Sequence, residues 1–329
     1  MVAAQPSIHF LLLPKLAELG LHAHTDPATG LLQGINPSSK QPELSVICRY
    51  VNAKQLQQLR TQKRQGIKTI YFMDDDLLDP LAWGGLPWRY RFKLFTQAFI
   101  HKRQLLALVD EVWVSTPHLQ NKYAHLKPML VTAKPTPATT HSQHDSAVLV
   151  CYHGTASHTA EFKWLFPIMQ EVLKRNPRIH FELFADSHTA KFFRKLPRTA
   201  VLHPMTWPQY LAYTQTRKAD IGLAPLLPSR FNAARGATKR MDYARMGAVG
   251  IYTDVAPYSD HVHHESDGLL LSNDPAVWVK TILELADNSA LRAEMQLALQ
   301  TSCSGRPRQG EDDSLMGDFG NLDDASWTW

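Results

Sequence analysis

Hydrophobic positions along the chain form short apolar runs that alternate with longer amphipathic segments. Four runs in the first half are rich in β-branched and aromatic residues, as buried strands are: 44–50, 67–73, 111–115 and 128–132. Segments between them, such as AKQLQQLRTQKRQ, place apolar residues at helical spacing. Strands that alternate with helices in this way predict parallel βαβ units.

The same alternation restarts after a polar stretch near the middle of the chain. Residues 133–146, AKPTPATTHSQHDS, have no apolar period and are typical of a linker. Beyond them, strands such as AVLVCYHG alternate with helices such as ATKRMDYARMG. We therefore predict an amino-terminal α/β domain over 1–135, a linker over 136–146, a second α/β domain over 147–301, and a disordered acidic tail over 302–329.

Composition narrows the class of protein. With 329 residues, 44% of them hydrophobic, the chain is long enough for two globular domains. No apolar run reaches 18 residues, and the first residues lack the features of a signal peptide. Three widely spaced cysteines favour a reduced, cytoplasmic protein with neither a disulfide framework nor a zinc site. The net charge of +5 permits anionic partners but does not indicate nucleic-acid binding.

Two stretches of the second half carry a family resemblance. DIGLAPLLPSRFNAARGATKRMDYARMGAVGIYTD and YHGTASHTAEF resemble the donor-binding domain of group 1, family 4-like GT-B glycosyltransferases. In the first half, YFMDDDL and LVDEVWVSTPHL resemble the acceptor domain of that family more weakly. The resemblance covers residues 44–300. It implies an α/β protein of the GT-B fold, with two Rossmann-like domains whose parallel sheets face one another across a cleft.

The same resemblance implies a reaction. A sugar would pass from a nucleotide-diphosphate donor to an acceptor hydroxyl with retention of anomeric configuration, as in a hexosyltransferase. The family neutralises the donor diphosphate with cationic side chains and helix amides, so the resemblance implies neither a metal nor a cofactor. The implied partners are the nucleotide-sugar and a glycan or lipid-linked acceptor, and no nucleic acid.

The loop PSRFNAARGATKR supplies the first group of candidate donor-binding residues. It carries Arg230, Asn232 and Arg235 and leads directly into a helix. The resemblance places Lys239 on the diphosphate and Asp242 on the ribose. The alternative is that this helix is an amphipathic surface helix whose Lys and Asp are solvated.

The turn HGTASH supplies the second group. Gly154 and Thr155 offer backbone amides at a helix amino terminus, and His158 can donate a hydrogen bond to phosphate. His153 ends the preceding strand, so we expect its side chain to point into the cleft. The resemblance places the nucleobase at HPMTW, the segment that contains Met205.

One position departs from the family pattern. Ala234 stands eight residues before Asp242, where many relatives carry an acid that contacts the sugar. In addition, PSIHFLLLPKLAELG is more typical of a helix than of the expected first strand. Both features keep open a second interpretation, a non-catalytic protein that binds a sugar nucleotide or a partner enzyme.

Three consecutive aspartates follow the apolar run in IYFMDDDLLDP. Asp74 and Asp76 have the spacing of a metal-binding DxD sequence, which would indicate a metal-dependent GT-A-like transferase. Because the second half already contains a diphosphate-binding loop, we instead predict that Asp74 or Asp75 lies at the cleft and orients the acceptor. The predicted catalytic residues are therefore Asp74, Asp75 and His153, although the aspartates could simply cap the following turn.

Residues 88–109, WRYRFKLFTQAFIHKRQLLALV, are basic and aromatic. This composition favours peripheral contact with an anionic membrane, which would place the protein at the inner face of the membrane. The alternative is a core helix, since Phe92, Phe95 and Phe99 are spaced as core residues of a helix would be.

Overall fold

The computed structural model describes residues 5–134, 139–141 and 146–303 of the chain. Over these residues it contains two six-stranded sheets, each built from one half of the chain and covered by helices. The predicted α/β fold class is thus confirmed, with one Rossmann-like unit on each side of the linker region.

The amino-terminal sheet has its strands in chain order. They are β1 His22–Thr25, β2 Leu32–Ile35, β3 Pro42–Cys48, β4 Lys68–Met73, β5 Glu111–Val114 and β6 Met129–Leu130. Strands β3 to β6 are parallel and correspond to the four predicted runs. Strands β1 and β2 form an antiparallel extension that the sequence pattern did not indicate.

Helices of this domain begin with residues 8–18, which are helical as their sequence indicates. A π-helical turn, Ile8–Leu12, runs into α1 Leu13–Glu18; then follow α2 Ala53–Arg64, α3 Trp88–Gln97, α4 Lys102–Leu108 and α5 Pro117–Lys122. Helix α2 starts at a capping box in which the side chains of Asn52 and Gln55 each accept a hydrogen bond from the backbone of the other, at 2.9 and 3.1 Å.

The carboxy-terminal sheet is parallel throughout its described strands. They are β7 Val148–His153, β8 Ile179–Phe184, β9 Thr199–Leu202, β10 Ile221–Ala224, β11 Val249–Thr253 and β12 Leu269–Leu271, in the order β12-β11-β10-β7-β8-β9. The strand order reverses between β7 and β10. In open α/β sheets, ligands bind outside the carboxyl ends of the strands at such a reversal.

Six helices of the described region cover this second sheet. They are α6 Thr159–Arg175, α7 Ser187–Phe193, α8 Trp207–Thr216, α9 Thr238–Met246, α10 Pro275–Asp287 and α11 Ser289–Cys303. Helix α11 includes Ser302 and the buried Cys303, the first two residues of the predicted tail, and residues 304–329 lie outside the described part of the chain.

The predicted linker is described at residues 139–141 and 146. Thr139 lies against the end of α9, where its backbone amide and hydroxyl donate to the carbonyls of Ala244 and Arg245 at 2.9 and 2.7 Å. The rest of the predicted linker lies outside the described residues.

Helix α3 does not lie in the core in the way its phenylalanine spacing suggested. The buried residue of α3 is Leu94, whereas Phe92 is 62% and Phe95 46% exposed. The core interpretation of those two phenylalanines is therefore wrong. Their side chains lie on the outer face of the helix.

Aromatic side chains pack across the boundary between the two domains. The loop between β10 and α9, residues 225–237, inserts Phe231 and Ala234 into the hydrophobic cluster of the amino-terminal domain. The ring of Phe231 packs edge-to-face on Tyr90, at 6.2 Å between centroids. At the other side of the cleft, Phe10 packs against Trp207 at 5.5 Å. Side chains of both domains therefore pack together in two hydrophobic clusters.

We expect Phe231→Ala to destabilise the protein by about 3–5 kcal/mol, because it removes a buried ring and leaves a cavity between the domains. Urea unfolding should show the loss, together with a less cooperative transition. The control is Phe192→Ala on α7, since Phe192 is 50% exposed. Equal effects of the two substitutions would show that the loop does not couple the domains.

Candidate functional site

The centre of the site is a tight turn at the carboxyl end of β7. A Cβ atom on Gly154 would lie 3.0 Å from the ring of Tyr152 and 3.1 Å from that of Phe162. Only glycine therefore lets the backbone lie this close to the two rings without a shift of either. A short 3₁₀ turn, Ala156–His158, then leads into α6.

Two cationic side chains from the segment that follows β10, the strand next to β7, contact this turn. Arg235 donates to the hydroxyl of Ser157 at 2.9 Å and lies 2.6 Å from the ring Nε2 of His158. The ammonium group of Lys239 donates to the carbonyl of His153 at 2.8 Å. The structure thus brings together five residues predicted for diphosphate binding: Gly154, Thr155, His158, Arg235 and Lys239.

Burial and mutual repulsion govern the protonation of this group. Burial lowers the pKa of His158 well below its usual value, and the charges of Arg235 and Lys239 lower it further, so His158 is neutral at neutral pH. Burial and the charge of Arg235 lower the pKa of Lys239 to about 8. An anion bound between Arg235 and Lys239 would offset both the burial of these charges and the repulsion between them.

A buried carboxylate, that of Glu161, lies next to the turn. Glu161 accepts a hydrogen bond from the side chain of Asn232 at 2.7 Å and lies 3.7 Å from Nδ1 of His158. Asn232 also donates to the carbonyl of Leu227 at 2.8 Å, so it ties the loop to the start of α6 rather than facing the turn. Sequence reasoning missed Glu161, although an acid three residues after a candidate histidine, in the first turn of a helix, was a usable signal.

His153 does not point into the cleft as expected. Its side chain is buried, with Nδ1 3.0 Å from the hydroxyl of Tyr210 and Nε2 3.5 Å from Glu182, and its ring packs edge-to-face on Phe184. Both ring nitrogens therefore face protein groups. His153 reaches the turn only through its backbone carbonyl, which binds Lys239.

Three other candidate donor residues make no hydrogen bond to the turn within the described part of the chain, although Asp242 lies close enough to Lys239 for its charge to raise the pKa of that lysine. Arg230 is exposed and lines a separate groove of 640 Å³ between the domains, which it shares with His118. Met205 is 39% exposed on the segment before α8. Asp242 accepts a hydrogen bond from Arg245 at 2.7 Å. The structure does not bring Arg230 to the two cations that bracket the turn.

The amino-terminal helical segment covers the side of the site at which Asp242 lies. Arg245, the partner of Asp242, lies 5.4 Å from the ring centroid of Phe10 and 5.8 Å from that of Trp207. The hydroxyl of Ser7 donates to Asp74. Residues 7–10 thus contact the acidic edge of one domain at Asp74 and, in the other domain, Arg245, which pairs with the candidate ribose-binding residue Asp242.

Asp74 and Asp75 share a single cationic partner, Arg49. The guanidinium lies 3.2 Å from Asp74 and also pairs with Asp75. Burial raises the pKa of the Asp75 carboxyl, while the charges of Arg49 and Arg235 act against that rise. Asp75 therefore lies in the field of a cation from the other domain, on the cleft side of the acidic edge.

Sequence reasoning also missed Arg49. Its backbone is in the left-handed region, with φ of 66°, a strained conformation for a residue with a side chain. Its carbonyl accepts a hydrogen bond from Tyr71 at 3.0 Å, and its amide donates to Phe72 at 3.0 Å. The available signal was its position, as the charged residue that directly follows the apolar run of β3.

Asp76 faces away from its two neighbours. Its side chain is fully buried and is bound by Tyr123 at 2.6 Å and by Lys122 at 2.5 Å. Binding of a divalent ion by Asp74 and Asp76 therefore does not match the geometry, because hydrogen bonds from Tyr123 and Lys122 hold the Asp76 carboxylate in the domain core. Across the described residues there is no group of three or more His, Cys, Asp or Glu placed to hold a metal ion.

No family model and no curated protein matches the sequence. Among solved structures, the chain is similar to TarM of S. aureus, with a TM-score of 0.57 and 11% identity, over 85% of this chain and 59% of TarM. It is similar to Anabaena HepE in complex with UDP and glucose, with a TM-score of 0.55 and 11% identity, over 90% of this chain and 78% of HepE.

A third similar structure is sucrose-phosphate synthase from Thermosynechococcus elongatus, with a TM-score of 0.52 and 14% identity, over 81% of this chain and 70% of that enzyme. The chain has the GT-B fold. At these identities the likeness concerns the fold alone, and the chain spans about three fifths of the length of TarM. In the described part of this GT-B chain, every helix is too short or too polar to cross a bilayer.

We expect Lys239→Met to stabilise the protein by about 1–2 kcal/mol at pH 7, because the folded state must hold a buried charge there. The pKa of Lys239 is lowered from 10.5 to about 8 on folding. The stability of the native protein should therefore rise with pH between these two values, and the advantage of the variant should shrink.

Urea unfolding at pH 7 and pH 10 checks this expectation. The control is Lys191→Met, at an exposed position of α7. A loss of stability in Lys239→Met that is the same at both pH values would contradict the buried-charge account.

Proposed function

We propose that this protein transfers a sugar from a nucleotide-diphosphate donor to an acceptor hydroxyl. The observation that carries the proposal is the convergence of Arg235 and Lys239 on the Gly154 turn, at the sheet reversal of a GT-B fold. Two similar structures, TarM and HepE, were solved with UDP bound. The donor diphosphate would lie between the two cations and the turn.

This arrangement suits a leaving group that gains negative charge. As the glycosidic bond to the donor breaks, Arg235, Lys239 and the amides of the turn would stabilise the departing diphosphate. The charge they supply is already in place, so the proposed reaction needs neither a divalent ion nor a cofactor. Asp75, which lies in the field of Arg235, would orient the acceptor.

We propose further that the anomeric configuration is retained. The described site offers no carboxylate free of protein partners beside the turn, since Glu161 is bound by Asn232. A leaving phosphate oxygen would then accept the proton of the acceptor hydroxyl on the same face of the sugar.

A second candidate function is sugar-nucleotide binding without catalysis. Ala234, at the position where relatives carry a sugar-contacting acid, is fully buried against the amino-terminal domain, and the hydroxyl of Thr116 donates to its carbonyl at 3.3 Å. The position serves interdomain packing in this chain. A donor could still bind the cations next to it.

Thermal-shift measurements with UDP-, GDP-, ADP-, dTDP- and CMP-sugars test the proposal. We expect one nucleotide class to raise the melting temperature of the native protein, because a ligand that binds only the folded state stabilises it. The shift should persist in EDTA, disappear in Lys239→Met and remain in Lys191→Met. No shift with any nucleotide would contradict the proposal.

A nucleotide-release assay on the same samples separates the two candidate functions. Release that persists in EDTA supports transfer or donor hydrolysis. Binding with no release, across glycan and lipid-linked acceptors, would favour the non-catalytic function. A strict requirement for Mg²⁺ or Mn²⁺ would contradict the proposed charge neutralisation.

The outer face of α3 fits contact with an anionic membrane, where a lipid-linked acceptor would be found. Trp88, Phe92 and Phe95 lie at i, i+4 and i+7, on one helical face, and are 71%, 62% and 46% exposed. Arg89 and Lys93 are exposed on the same helix. Aromatic rings beside basic side chains combine apolar insertion with attraction to anionic headgroups.

Flotation with vesicles tests the membrane contact. We expect binding at low salt to vesicles containing phosphatidylglycerol, and weaker binding to phosphatidylcholine alone because its headgroup carries no net charge. Trp88→Ala/Phe92→Ala should lose at least fivefold in binding because it removes two inserting rings. Phe192→Ala on α7 is the matched control. Absence of binding to the anionic vesicles would end this part of the proposal.

A further inference from the structure

A second cavity lies within the amino-terminal domain. Its volume is 370 Å³, at the lower end of the range for small-molecule sites. It lies at the carboxyl end of β3, between the amino-terminal helical segment, the start of β2, the start of α2 and the end of α3. Nothing in the donor site described above uses this cavity.

The residues that line the cavity include one histidine and no Lys, Arg, Asp or Glu. The floor is apolar, with Ile8, Leu31 and Val51 nearly inaccessible to solvent. The rim is polar and includes the side-chain amides of Gln5 and Gln97. Within the described residues, these two amides make no hydrogen bond.

This lining restricts the chemistry of an occupant. An anionic group would find no lysine or arginine in the cavity to offset its loss of hydration. A purely apolar ligand would cover the amides at the rim and leave them without partners, which costs free energy. The fitting class is an uncharged molecule with hydroxyl groups and apolar C–H faces, as in a neutral sugar.

The cavity adjoins the acidic edge of the cleft. Strands β3 and β4 are parallel, with Cys48 opposite Phe72, so the cavity at the end of β3 and the aspartates after β4 share one edge of the sheet. Tyr50 lines the cavity, and its hydroxyl is 3.2 Å from that of Tyr90.

Tyr90 in turn connects the cavity to the aspartates. Its hydroxyl accepts a hydrogen bond at 3.3 Å from Arg49, the residue that pairs with Asp74 and Asp75. A chain of hydrogen bonds thus runs from the wall of the cavity to the group proposed to orient the acceptor.

We propose that this cavity binds one uncharged sugar unit of the acceptor, so that the acceptor is a neutral glycan or carries a neutral glycan end. The inference rests on the proposed function and deepens it by naming the acceptor class. A sugar held in the cavity would place the neighbouring part of the acceptor at Asp75.

Saturation-transfer NMR tests the proposal without any donor. The probes are methyl glucoside, methyl galactoside and methyl mannoside, with glucuronate and glucose 6-phosphate as anionic counterparts. Ala53→Trp adds a large side chain at an exposed residue of the cavity wall, and Gln97→Leu removes a free amide. The control is Gln57→Trp, at an exposed position of the same helix α2 outside the cavity.

We expect at least one neutral glycoside to receive saturation from the native protein. The signal should fall at least fivefold in Ala53→Trp, fall in Gln97→Leu, and remain in Gln57→Trp, with no signal from the anionic sugars. Absence of signal from all neutral probes, an undiminished signal in Ala53→Trp, or equal signals from anionic sugars would each overturn the proposal.

Nucleotide thermal shifts of the same variants separate this inference from the proposed function. If the nucleotide shift is intact while the sugar signal fails the test, the cavity proposal alone is wrong. If the neutral glycoside binds as expected while no nucleotide does, the cavity proposal stands as a sugar site and the transferase proposal is wrong.

Discussion

The site depends on two cations held close together and partly out of water. Arg235 and Lys239 both bind the Gly154 turn, and the lowered pKa of Lys239 reflects the free-energy cost of this arrangement. The folded state tolerates this free-energy cost because hydrogen bonds hold the loop that carries Arg235 in place. A bound diphosphate would turn this repulsion into attraction.

The same loop connects the cation Arg235 to the contact between the two domains. Between β10 and α9 the chain first buries Phe231 and Ala234 in the amino-terminal domain and then presents Arg235 to the turn. Because these residues are consecutive or nearly so, the domains cannot separate without moving the cation. The pairing of Asp75 with Arg49, in the field of Arg235, adds an electrostatic link across the same boundary.

The sequence predicted what depends on local pattern. Alternating apolar runs identified β3 to β6 and β7 to β11 but not the short strand β12, and the family resemblance of the turn and loop motifs placed Gly154, His158, Arg235 and Lys239 at one site. Strand β1 escaped prediction because His22–Thr25 is a polar, mostly exposed edge strand without alternation. The spacing of Phe92 left both a core and a membrane-facing interpretation open, because helical spacing indicates a face but not what covers it. His153 was misplaced because Tyr210 and Glu182, which are distant in sequence, hold its ring.

The most direct test of the central claim is proton uptake on nucleotide binding, measured by calorimetry at pH 8 in buffers of different ionisation enthalpy. With a pKa of about 8 in the free protein, Lys239 is about half protonated at this pH, so a diphosphate that raises its pKa should draw in up to about 0.5 proton. We predict that uptake from the native protein and its absence from Lys239→Met. Tight nucleotide binding with no proton uptake, or binding only with a divalent ion, would contradict the claim that these cations hold the diphosphate.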